Sequence, residues 1–103
     1  MASSTISKRA GSTLTLLCVK RDSDGVEEDL ATVSVEAYFN ESSSNKFVIN
    51  GTVTKTGGGR FSIGLSAEQT ADIGQKGLSC TIKYTYTSGA VDILDPFTVD
   101  IKR

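Results

Sequence analysis

Along most of this chain, apolar and polar residues take turns. In 13–20, Leu14, Leu16 and Cys18 share one parity, while Thr13, Thr15 and the terminal Lys20 frame them. Successive side chains of a strand point to opposite faces, so this alternation sets one face in a core and the other in water. The run 32–39 repeats the pattern, with Val33, Val35, Ala37 and Phe39 against Thr32, Ser34, Glu36 and Tyr38. Residues 46–55 predict a further strand. Within it, Asn50-Gly51 either closes a tight hairpin or forms a bulge in one longer strand. The bulge is the preferred reading, because Gly57-Gly58-Gly59 just beyond is the stronger turn and leads into 60–65, where Phe61, Ile63 and Leu65 line one face.

Only residues 66–73 read as helical. Ser66 with Gln69 three positions on is a capping-box pattern, and Gly74 is a stop. So short an element is one or two turns crossing between sheets. From 78 to 86 the period returns to two, with Leu78, Cys80, Ile82, Tyr84 and Tyr86 on one side. The last segments, 91–94 and 97–101, flank Pro96, which lacks a ladder donor and predicts an edge strand or a break. About seven short strands with regularly spaced turns predict an all-β, two-sheet sandwich of immunoglobulin-like build, a single domain over 1–103.

Composition narrows the function classes. Eleven basic residues balance twelve acidic ones, which argues against a coat for nucleic acid or an anionic membrane. No apolar run is long enough to span a bilayer as a helix. The polar start lacks the apolar core of a secretory signal, so the chain is expected to be made and kept in a cytosol. Histidine and tryptophan are both absent. Without Trp, the core packing of antibody domains is excluded; without His, neither cysteine has an activating base, and no Cys/His metal site exists.

Cys18 and Cys80 fall on inward faces of an early and a late strand, the placement of either an inter-sheet disulfide or two core thiols; in a cytosol the thiols are favoured. A bridged pair would add about 4 kcal/mol in the chain-entropy model. Asp22-Ser23-Asp24-Gly25 resembles the start of a calcium loop but lacks the full ligand pattern, so a hairpin turn is expected. Its clustered carboxylates have no cleft to separate them as an acid/base pair. Gly57-Gly58-Gly59-Arg60 lacks the ending of a phosphate loop and reads as a flexible hairpin tip. No cofactor and no enzymatic activity are expected.

With the strands placed, a whole-chain pattern appears. It comprises Gly-Ser-Thr-Leu-Thr-Leu (11–16), Ser-Asp-Gly (23–25), Asp-Leu-Ala-Thr-Val (29–33), Gly-Arg-Phe-Ser-Ile-Gly-Leu-Ser-Ala-Glu-Gln-Thr (59–70) and Phe-Thr-Val-Asp-Ile (97–101). This resembles the immunoglobulin-like domains of bacteriophage tails and baseplates, in particular the N-terminal domain of phage baseplate upper proteins. The resemblance implies a non-enzymatic virion component, assembled in a bacterial cytoplasm, that docks onto other phage structural proteins and forms a homo-oligomer. That family's domain usually begins a longer polypeptide; a chain ending at Arg103 is expected to act as a small adaptor, collar, baseplate or decoration subunit. Tyr38, Pro96 and Phe97 are the candidate interaction surface, with edge strands as docking sites. The alternative is a carbohydrate- or host-surface-binding module, for which three Tyr and four Phe offer few stacking faces.

Overall fold

The computed structural model describes residues 4–103. Its strands are β1 (Ser4–Arg9), β2 (Leu14–Val19), β3 (Ser34–Glu41), β4 (Phe47–Asn50), β5 (Thr52–Gly57), β6 (Arg60–Leu65), β7 (Lys76–Thr85) and β8 (Val91–Lys102), with α1 (Ala67–Ile73) between β6 and β7. They form a five-stranded sheet ordered β1-β8-β7-β3-β4 and a three-stranded sheet ordered β2-β6-β5. Every pairing is antiparallel except β1 with β8, which run parallel.

The alternating residues do what their parity requires. Leu14, Leu16 and Cys18 of β2, with Phe61, Ile63 and Leu65 of β6, turn inward from the small sheet. Ala37, Phe39, Leu78, Cys80, Ile82, Tyr84, Val99 and Ile101 meet them from the large sheet. Across the layer, the Phe61 and Tyr84 rings stand edge to face with centroids 6.0 Å apart, a favoured aromatic geometry. Burying each such side chain is worth about 1.5–3 kcal/mol relative to exposure.

The helix is the sheet-to-sheet crossing that its short capped pattern predicts. Ser66 Oγ accepts from the Gln69 amide, and Gln69 Oε1 accepts from the Ser66 amide at 2.8 Å. Thr70, its buried residue, accepts from the Gly11 amide and donates to the Ser12 carbonyl, fastening α1 to the turn before β2.

Three elements differ from the sequence expectation. The polar start contains a strand, β1, because pairing with β8 uses backbone groups and needs little more than a half-buried Ile6. Asn50-Gly51 is neither a hairpin nor a bulge. β4 pairs only with β3 and β5 only with β6, so the chain changes sheets at Gly51. A Cβ there would lie 2.7 Å from Ile63 Cγ2, so a side chain would collide with the core at the crossing. Finally, 91–102 is one strand rather than two. Leu94 pairs with Ile82 and Phe97 with Cys80, so Asp95 and Pro96 together oppose Thr81 as a bulge. Thr81 Oγ1 donates to Asp95 Oδ1 at 2.6 Å and clamps it.

Candidate functional site

Cys18 and Cys80 are buried and unbridged, the core-thiol alternative. Burial pushes the Cys18 thiol up to about 11 and the Cys80 thiol up to about 12, the latter helped by Cys18 and Asp95. Neutral thiols of this kind are poor nucleophiles.

The acidic turn consumes its own ligands. Asp22 Oδ1 accepts from the amides of Asp24 and Val26, and the Arg21 guanidinium donates to the Gly25 carbonyl. Loop 20–33 then folds over the β5–β6 hairpin. The Lys20 amide donates to Gly59 O, the Leu30 amide to Gly58 O, and the Gly59 amide to Glu27 Oε1. Gly59 is therefore packed rather than flexible: a Cβ would come within 2.5 Å of the Glu28 carbonyl oxygen. Leu30, the loop's lone apolar residue at full burial, plugs the core beneath.

At the same end sits a polar knot. Lys20 Nζ is 2.9 Å from Glu28 Oε2, 3.6 Å from Asp92 Oδ2 and 5.4 Å from the Tyr84 ring centroid. The Tyr86 hydroxyl donates to Glu28 Oε2 at 3.2 Å. Burial alone would lower the Lys20 ammonium; the Glu28 hydrogen bond and the charges of Tyr86, Glu28 and Asp92 outweigh it, and the net shift is upward. Burial, more than Glu28, also raises the Tyr86 phenol. Each member holds another. The knot ties loop 20–33 to the β7–β8 hairpin of the large sheet and leaves no unpaired group aimed at a ligand. Among the described residues, no three His, Cys, Asp or Glu side chains converge as a metal site.

Tyr38 is half-buried on the outer face of the large sheet, between Thr81 and Asn50 in the pairing register. Phe97 turns inward opposite Cys80 and packs against the core. The Pro96 side chain lies outside the described residues. The structure does not bring Tyr38 and Phe97 together.

It assembles a different feature, at the seam where both sheets have an open edge. Among the described residues, β1 pairs with β8 from Phe97 onward and β2 is paired on one side only. Between these edges lies a groove of about 210 Å³ lined by Leu17, Val19, Ile82, Tyr84, Leu94 and Phe97 together with Lys20 and Arg21. Two of its apolar lining residues are well exposed, Leu17 at 82% and Leu94 at 45%; Val91 and Ile93, 47% and 56% exposed, lie on the other face of β8. Val91 and Ile93 were placed by sequence in a strand, but alternation alone does not tell that both stay exposed.

No family model matches the chain, and no curated protein does. Among solved structures, murine CRIg is similar over 96% of this chain and 92% of that one, at 11% identity and a TM-score of 0.52. A chain of the ZIG-8–RIG-5 IG1–IG1 heterodimer aligns over 97% and 82%, at 12% identity and a TM-score of 0.44. With the two-sheet topology, the first likeness shows the fold: an immunoglobulin-like β-sandwich.

Proposed function

We propose that this protein is a non-enzymatic docking module that works by holding other proteins. The seam between β2 and the first half of β8, with Leu17 and Leu94 exposed along its groove, carries this reading. Exposed sheet edges recruit partner strands, and apolar residues rimming a groove mark interaction sites. The polar groups with shifted titration, by contrast, are spent on internal contacts.

The setting proposed is a bacteriophage particle, with the chain as a tail, baseplate, collar or decoration subunit. It is supported by the spread of matching segments from 11–16 to 97–101 in the sequence. The test is co-expression with the products of neighbouring genes, followed by sedimentation. The expected result is co-sedimentation with a tail, baseplate or capsid protein. A chain that stays at its monomer mass of 10.9 kDa in every mixture overturns the reading.

A further inference from the structure

The parallel pairing of β1 with β8 brings two dibasic pairs, Lys8-Arg9 and Lys102-Arg103, to the same end of the sandwich. Arg9 and Lys102 stand directly opposite each other in the register, and both are exposed. Their parity is that of Thr98 and Asp100, so they lie on the outer face of the large sheet, with Asp100 two positions back and half-buried. Like charges opposite each other on neighbouring strands repel. Among the described residues, no carboxylate comes within 4.0 Å of any of these four cations. Lys76, at the same end, is already held by Glu41 at 3.2 Å. With Lys46, this end carries six cations against four carboxylates, Glu41, Glu68, Asp72 and Asp100.

The opposite end reverses the sign. β8 is twelve residues long, which sets its two ends about 36 Å apart, close to the molecule's longest dimension of 41 Å. Where β8 begins, loop 20–33 and the two hairpins beside it carry six carboxylates against four cations. Those cations are engaged: Lys20 with Glu28, Arg60 with Glu27, Lys55 with the Val33 carbonyl and Arg21 with the Gly25 carbonyl. Asp22, Asp24 and Asp29 are exposed and, among the described residues, have no cation within 4.0 Å. The carboxylates of Asp22 and Asp29 accept from amides of their own loop, which fixes where their charge is presented.

We infer that the basic end around Arg9 and Lys102 receives the acidic loop of a second copy, so that copies associate end to end. Asp22 and Asp24 of the incoming loop relieve the repulsion between Arg9 and Lys102. The contact joins unlike surfaces, so each copy keeps one free end and the association extends into a ring or a row. An end face of 25 by 22 Å buries about 500 Å² of each copy, less than a stable isolated pair needs. A single contact is therefore weak and screened by salt, and it persists where many copies are held close together. This rests on the docking reading above and names one partner, a second copy, with the surfaces it uses.

The test is sedimentation velocity of the full chain up to about 1 mM protein, in about 20 mM and about 300 mM salt. At low salt the weight-average mass is expected to climb with concentration to at least about twice the monomer's 10.9 kDa, and at high salt to return to it. Two double variants neutralise one end each: Arg9→Gln with Lys102→Gln, and Asp22→Asn with Asp24→Asn, which keeps the turn's acceptor. Each variant alone is expected to stay monomeric. An equal mixture is expected to form pairs and stop there, because each member retains the end that the other lacks. Unfolded variants would not regain association on mixing, so this arm separates lost charge from lost fold. A wild-type chain that is monomeric throughout, association that survives in either variant alone, or association that salt strengthens overturns the inference and leaves the co-sedimentation test of the docking reading standing. Low-salt binding of an aspartate-rich peptide by a chain that does not self-associate makes the occupant a different acidic partner and overturns the second copy.

Discussion

The two halves of β8 belong to one strand and pair with one neighbour, yet they live in different environments. From Phe97 to Lys102 the strand is flanked by β7 and β1, and Val99 and Ile101 are wholly buried. From Val91 to Leu94 it pairs, among the described residues, with β7 alone, and Ile93 is 56% exposed. Hydrophobic character does not separate the halves. The bulge at Asp95-Pro96 and the pairing with the described residues of β1 do. One half stabilises the fold, and the other borders the seam proposed for docking.

The sharpest way to break this contrast is to truncate one residue in each half. Ile101→Ala is expected to lose about 2–5 kcal/mol through cavity formation, whereas Ile93→Ala should change stability by less than about 0.5 kcal/mol. Urea denaturation of both variants checks this; equal losses would erase the distinction. A smaller effect is expected from loosening the cover itself. Ile6→Ser withdraws the one apolar contact that β1 makes with the core, at about 1–2 kcal/mol. Exchange along 97–102 should then rise towards that of 91–94. Smaller again, Thr81→Ala removes the clamp on the bulge and costs about 1 kcal/mol, read as a drop in melting temperature.

A fourth effect, from the two cysteines, is absent at neutral pH. Cys80, beside Phe97 at the boundary of the two halves, holds its proton in the folded state up to about 12, and Cys18 up to about 11, against an ordinary value of 9.0. The unfolded chain loses these protons first. Stability is therefore level below pH 9 on their account and falls as pH rises through 9 towards the folded values. Cys80→Ala should flatten that alkaline slope, measured by denaturation from pH 8 to 10.5.

Much of the fold was legible because its signal is local. Parity in 13–20, 60–65 and 78–86 identifies strands and their inward residues, and Ser66, Gln69 and Gly74 mark the helix. What was not legible depends on contacts distant in sequence. The strand character of 4–9 comes from a partner some ninety positions away. Gly51 looks like a turn residue until Phe39 and Ile63 close around it. The candidate site shows the same limit. Cys18 and Cys80 were readable as an inward pair, and Tyr38 as an outward residue. The seam, however, lies beside the part of β8 that the described residues of β1 do not reach, and no residue in 91–94 signals it.

The most direct test of the open edge is amide hydrogen exchange along β8 in the free chain. Asp92 and Leu94, bonded to β7, should be protected, while Val91 and Ile93 between them exchange near the rate of an unstructured peptide. If Val91 and Ile93 exchange as slowly as Asp92 and Leu94, the edge is already occupied and the docking site does not exist.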